Sequence, residues 1–498
     1  MSQSAGPLRD LQDVSDADAS AASAKSLYLA LHAGHTQNGH LSAQSYLHAC
    51  LERARVLPHD LPEALDDANV VEQWMLQRAA SAGDAYQTYL SARKEGAPRR
   101  YFRNRAHALY FLQAAAPTKL VDGAWLYGLL PHWRDVALHG LIRTYLEELG
   151  DGVAEQNHVA LYRRLLAVHG CGQWQHLDDA HFVQGAIQLS LASEAAHFLP
   201  ELIGYNLGYE QLPLHLMITS YELNELGIDP YYFTLHVTID NAAAGHARKA
   251  VQSLQQAAPV DGDRQSFYRR VADGYRLNDL GASTLSIIAS FDLQHELVRV
   301  LQDKAAIGKN MHSDYCRLAG RTINEWLAQR ERIPEFLQQM EKSGWIRRGE
   351  APENSRFWRL IEGEHAEMFG VFNEYERQLL RDWIATPAGE RSTDTPTRRA
   401  NLHLVPHRAQ RQMVTRTQRS PDVPHRVTPL GAPRGILRRH HENQVDDFST
   451  DLRALENRLA ALDSEDAMMR MLIPFMSPAR HHTPIGLMAT RIFSKLFA

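Results

Sequence analysis

Residues 135–169 read DVALHGLIRTYLEELGDGVAEQNHVALYRRLLAVH. Apolar positions recur every three to four residues on both sides of Gly150-Asp151-Gly152, which predicts two amphipathic helices joined by a tight turn. The first helix carries Glu147 and Glu148 and stops at the turn, and the second begins near His158. Glu148 and His158 are ten residues apart across that break.

The same period continues in both directions. Between about 106 and 305 lie HALYFLQAAA, LIGYNLGYEQL, LHLMITSYELNEL, YFTLHVTIDNAAAGHARKAVQSL and STLSIIASFDLQHELVRVLQ, all long and apolar. Residues 25–105 hold shorter helical stretches, SLYLALHAGH, SYLHACLERARVL and VVEQWMLQRAASAGDAYQTYLSARK, separated by short Pro- or Gly-bearing links. Convincing alternation at period two is missing, so the expected class is all-α.

The expected organisation is disorder over 1–24, an N-terminal helical region over 25–105, and the main helical domain over 106–305. A helical appendage follows over 306–388, then a disordered basic linker over 389–445, and a C-terminal amphipathic helix with a docking segment over 446–498. In the appendage, RTINEWLAQ and IPEFLQQMEKSG read as helices and WIRRGEAPENSRFWRLIEG as a short basic hairpin. That order is winged-helix-like, the pattern of a nucleic-acid binder. A packed structural appendage is the preferred reading.

Composition excludes several classes. The 498 residues are 44% hydrophobic and 22% charged, with a net charge of −5. Three cysteines, Cys50, Cys171 and Cys316, are too few and too scattered for a disulfide framework or a thiolate metal site. No apolar run approaches the ~18 residues that span a bilayer, and the first residues lack a signal-peptide pattern. A soluble protein of a reducing compartment, the cytoplasm, is expected. Within the linker, 391–441 holds eleven arginines against two aspartates, a net +9 that leaves −14 for the rest. Such a segment is a solvated tether or a binder of RNA, an anionic surface or the acidic body itself.

Twenty-six histidines are many for this length, although five lie at 403–441. Others stand beside carboxylates in apolar surroundings. Glu201 and Glu210 interrupt LPELIGYNLGYEQLPLH, where a carboxylate is costly to bury unless it is paired or coordinated. His236 and Asp240, four apart, share a helix face. Glutamates and histidines from several apolar helices suit a non-heme iron pair, whose ions carboxylates bridge and imidazoles complete. Zinc is less apt, its sites being four-coordinate and often thiolate-rich. Taken singly, each residue is equally an ordinary core or surface group, and Glu201 could pair with an arginine. Two Glu-x-x-His matches, Glu194 to His197 and Glu362 to His365, are as many as chance supplies and lie too far apart for a compact four-helix bundle.

On Glu148, His158 and the segments ELIGYNLGYEQLPLH and ELGIDPYYFTLHVTIDNAAAGHA, residues 106–300 resemble the heme-oxygenase-like diiron oxidases and oxygenases, also called iron-containing redox enzymes. The resemblance implies a multi-helix bundle that binds Fe(II), two ions and no heme, and activates O2 to oxidise a small substrate such as an amino acid, guanidine or fatty acid. It also implies an external electron donor and a homodimer supported by the N-terminal helices. Membrane and nucleic-acid partners are not expected. Its ligand pattern places the first pair at Glu148 and His158, the central Glu at Glu210 with Glu201 as alternate, and the start of His-x-x-x-Asp-x-x-His at His236 and Asp240. The third member of that motif falls on Ala243, and His246 is the nearest substitute. On a continuous helix His246 points about 80° away from His236, against about 40° for Asp240. A local tightening at Gly245 is one way to bring it round. An additional carboxylate of some members corresponds to Asp122. The expected division is Glu148, His158, Glu210 and His236 at one iron, with Asp240, His246 and shared carboxylates at the other. Tyr205, Tyr209, Tyr231 and Tyr232 are candidates to line the substrate. Two alternatives remain from the sequence, a non-catalytic helical scaffold and a nucleic-acid-associated protein acting through 318–441.

Overall fold

The computed structural model describes residues 23–34, 39–239, 245–363, 365–387 and 449–497. Most of 1–24, the whole basic linker, and the candidate Asp240 with Ala243 lie outside the described residues.

Helices α1 (Ala24–His32), α2 (Gly39–Arg55) and α3 (Ala68–Lys94) make up the N-terminal region. Their apolar faces are buried in the main core through Tyr28, Leu47 and Met75. Helices α1 and α2 pack on α8 (Val183–Ser193), and α3 packs on α10 (Leu214–Glu225). Polar anchors fix this docking. The backbone amides of Ala24 and Lys25 donate to the Asp179 carboxylate at 3.2 and 2.9 Å. The buried Glu222 carboxylate accepts from the amides of Arg100, Tyr101 and Phe102 and from the Tyr89 hydroxyl. A carboxylate held by so many donors compensates its own desolvation.

The main domain continues with α4 (Arg105–Ala114), α5 (Ala116–Lys119) and a 3-10 turn over Ala124–His132. Next come α6 (His139–Glu148), α7 (His158–Val168), α8, α9 (Leu199–Tyr209) and α10. Helices α11 (Tyr231–Ile239), α12 (His246–Gln256) and α13 (Arg264–Arg276) complete it. Helix α9 lies along α13, and α12 packs on both α6 and α9. The single helix expected over YFTLHVTIDNAAAGHARKAVQSL is therefore two, because Gly245 is extended (φ −87°, ψ −161°) and starts α12 afresh at His246.

Helices α14 (Thr284–Ala289) and α15 (Leu293–Gly308) run on from the main domain, and the appendage then holds a two-stranded antiparallel hairpin of β1 (Arg317–Leu318) and β2 (Arg321–Thr322). Helices α16 (Ile323–Leu327), α17 (Ile333–Lys342), α18 (Arg356–Ile361) and α19 (Glu374–Ala385) follow. No strands form in the segment 345–363 read as a hairpin; turns and a 3-10 segment over Pro352–Asn354 lead into α18, whose Phe357, Trp358 and Ile361 bury one face. The strands precede the helices, and the winged-helix order is not formed among the described residues. Helix α19 packs on α15 and α4, which joins the appendage to the main domain.

The chain ends with α20 (Ser449–Ala460), α21 (Glu465–Leu472) and α22 (Pro484–Phe497). The one amphipathic helix expected over 446–476 is broken where Ser464 caps α21, its side chain accepting from the Ala467 amide. Among the described residues no helix is long and apolar enough to cross a membrane.

Candidate metal centre

The ends of five helices converge on one buried spot. Glu148 is the last residue of α6 and His158 the first of α7, whose cap is Asn157. Glu210 follows the last residue of α9, and His246 opens α12. His236 lies in the last turn of α11, and Asp122 in the turn after α5. At that turn Gly123 adopts φ +78°, and a Cβ there would sit 2.9 Å from the Glu148 Cβ, so only glycine lets the two carboxylates approach.

Two ligand sets result. One oxygen or nitrogen each from Asp122, Glu148, His158 and His236 lie within 4.8 Å of one another, and so do atoms of Glu148, Glu210 and His246. All six residues are buried, and Glu148 belongs to both sets. The imidazoles of His158 and His236 have centroids 4.4 Å apart. Their division differs from the expected one. Glu210 sides with His246 and Asp122 with the two other histidines, because α12 starts beside the end of α9. His246 comes round as the first residue of a separate helix, not through a tightened turn of a continuous one.

Glu201 stands apart. It lies in the first turn of α9, at the opposite end from Glu210, and its carboxylate takes a two-pronged bond from Arg270 at 2.6 and 2.7 Å. Both residues line a pocket of about 280 Å³ between α2, α9 and α13, together with His48 and His197. Glu194 pairs with His197 and Glu362 with Arg377, so neither Glu-x-x-His match reaches the centre.

Supporting contacts orient the ligands. His236 Nδ1 donates to the Tyr232 carbonyl at 2.8 Å, which turns Nε2 toward Asp122 Oδ2 at 3.1 Å. An imidazole nitrogen facing a carboxylate oxygen needs a cation between them, a second proton or a metal. The Tyr209 hydroxyl donates to Asp122 Oδ1 at 2.7 Å and the Tyr232 hydroxyl to Oδ2 at 2.5 Å. Tyr205 instead donates to Gln184, and Tyr231 is only partly buried. Lys119 Nζ lies 3.2 Å from the Tyr209 hydroxyl and 3.8 Å from Asp122. His246 offers Nδ1 to Glu210 at 3.1 Å and Glu148 at 3.2 Å, while Nε2 meets Glu147 at 2.9 Å. Glu147 and Lys119 escaped the sequence reading. Their only signals were the Glu-Glu pair at a helix end and a lysine three positions before Asp122.

Electrostatics favour a cation here. Burial alone would raise the Asp122 carboxyl, but Lys119, His236 and His158 hold it well below the usual carboxylate range. Glu148 is also raised by burial and then pulled below that range by His158 and His246. Glu147 is pushed up by burial yet brought to about 2 by His246 and Lys249. Glu148 and Glu210 also sit at the negative ends of helix dipoles, which disfavour anions. The buried His158 Nε2 has no hydrogen-bond partner among the described residues, while Nδ1 pairs with Glu148. Three buried carboxylates, three imidazoles and no thiolate fit iron, and a metal would bring the partner that these nitrogens can take.

No curated protein and no solved structure matches the chain. Residues 109–279 match the family model of iron-containing redox enzymes. That matched part, about a third of the chain, carries all six residues of the two candidate sets, and it is similar to the iron-containing redox enzymes.

Proposed function

We propose that this iron-family domain is a non-heme diiron oxidase or oxygenase that uses O2 to oxidise a small organic substrate of the amino-acid or fatty-acid kind. The observation that carries the reading is the shared carboxylate. Asp122, Glu148, His158 and His236 would hold one ferrous ion, and Glu148, Glu210 and His246 the other. Iron held in this way would supply the electrons that reduce O2, with a donor outside the chain restoring them.

The protein's own part is orientation and exclusion of water. Tyr209 and Tyr232 pin both oxygens of Asp122, and the Tyr232 carbonyl fixes which nitrogen of His236 is presented. Glu147 does the same for His246, with Lys249 and Arg143 holding Glu147 in turn. Trp125, Tyr162, Tyr205 and Phe233 are fully or nearly fully buried around these groups, so charges there act in a medium of low polarisability. Lys119, partly exposed, is the cation nearest the Asp122 side and donates to the Tyr209 hydroxyl.

Anaerobic titration of the full chain with Fe(II) between about pH 6 and 8 tests this reading. Two equivalents per chain are expected, with an absorbance change when O2 is admitted. Absence of binding across that range overturns it.

A further inference from the structure

We propose that residues 473–497 are a positioning element of the metal centre, with His481 acting through Asn157, and Arg491 with Ser494 acting through the Gly150–Gly152 turn, to set Glu148 against His158. The inference rests on the metal-binding reading above and adds a role for a segment that lies outside the family match.

The turn between α6 and α7 runs through left-handed backbone, with Asp151 at φ +50° between Gly150 at +61° and Gly152 at +80°, and only Asp151 bears a steric cost there. The turn's surroundings come from α22. A Cβ on Gly152 would lie 2.2 Å from the Leu487 carbonyl oxygen, so α22 is seated directly on the turn. Arg491 Nη2 donates to the Gly152 carbonyl at 2.9 Å, and the Ser494 hydroxyl donates to Asp151 Oδ1 at 2.7 Å. Just before α22, the Tyr145 hydroxyl of α6 donates to the Met476 carbonyl at 2.6 Å.

His481 reaches the ligands more directly. The Asn157 Oδ1 accepts from the Ala160 amide and caps α7, which settles which way the side-chain amide faces. Its Nδ2 then spends one hydrogen on the Leu149 carbonyl at 3.2 Å and the other on His481 Nδ1 at 3.0 Å. One amide therefore joins the residue after Glu148 to the residue before His158, and His481 is the acceptor that completes its bonding. All three groups are buried, so loss of that acceptor cannot be made good by bulk water. Asn157 and His481 are 324 positions apart, and nothing local would bring them together.

The test uses the full chain and Co(II) as probe, with affinity and the visible d–d bands read alongside the melting of the metal-free protein. His481→Phe removes the acceptor and His481→Asn returns one at the Nδ1 position. Arg491→Met combined with Ser494→Ala releases the turn should His481→Phe fail to fold. Trp326→Phe, in the buried appendage core, serves as a destabilised control remote from the centre. Loss of an outer contact to a metal ligand weakens binding by roughly 10–100-fold, and these contacts, made one residue removed from the ligands, should reach the lower end, about tenfold. We expect that loss, with shifted bands, for His481→Phe and for the double variant, and less than about threefold for His481→Asn. The inference is overturned if the two disruptive variants bind Co(II) no more weakly than Trp326→Phe at equal melting loss, or if His481→Asn is as weak as His481→Phe. Failure of the unaltered chain to bind Co(II) or Fe(II) is a different result, which removes the metal centre itself and this role with it.

Discussion

Glu148 Oε1 lies 3.2 Å from His246 Nδ1 while Oε2 of the same carboxylate faces His158 Nδ1. One side chain thus touches imidazoles that belong to different helices and different ligand sets. That single relationship makes the two sets one centre.

Removing different members should therefore have unequal effects on metal content. His246→Ala takes a ligand from one set alone, and His158→Ala from the other, so each should retain about one ion per chain after loading. Glu148→Ala removes the common member and should retain almost none. Elemental analysis of the loaded, desalted variants reads this directly. Equal retention in all three would mean that Glu148 is not shared.

Acid should strip the metal through the imidazoles and not through the carboxylates. Glu147 is held at about 2, and Asp122 and Glu148 below the usual range, so these groups stay ionised through mild acid. Protons compete with a metal at each imidazole, so affinity should be lower at the acid end of a series run from about pH 7 to 5.5. Co(II) titrations at stepped pH give the slope. A flat profile over that range would be inconsistent with imidazole ligands.

Glu201 is a structural partner of Arg270. Glu201→Gln should cost about 1–2 kcal/mol of stability, a modest figure because Arg270 is partly exposed. Metal content should be unchanged. Chemical denaturation and elemental analysis on one preparation separate the two effects, and a loss of iron would return Glu201 to the centre.

Asp382 gives the fold a pH signature of its own. Burial raises its carboxyl to about 6, against bonds from the Ala106 amide and Gln378 that lower it. The folded chain therefore binds more protons than the unfolded one between about pH 4 and 6, and stability from this group is lost as pH rises through that window. Asp382→Asn resembles the neutral acid and should gain on the parent by about 3 kcal/mol at most, with no gain below about pH 4. Melting curves at both ends of the range check the sign.

Local patterns made much of the architecture readable. The Gly-Asp-Gly turn separated α6 from α7 and placed Glu148 opposite His158, because a helix end and the next helix start are set by nearby residues. Helical periodicity likewise marked α9 and α17. Reading failed where a local signal was weak or misleading. Gly245 opened a new helix with no proline to announce it, and the angle reckoned for His246 assumed a continuous helix. The basic run at 345–363 resembled a hairpin, yet three large apolar residues on one helical face outweighed it.

Helical class and the identity of the chemically capable side chains were written in the chain order, since a 3.6-residue repeat and a turn motif are properties of a few neighbours. Which of those side chains meet was settled only by packing. Glu201 and Glu210 look alike in sequence, but they occupy opposite ends of α9, and Arg270 waits at one while His246 waits at the other. Asp122 joins the centre, and His481 reaches Asn157, through contacts that span 26 to 324 positions. Such meetings depend on how whole helices lie against one another, and no spacing along the chain encodes that arrangement.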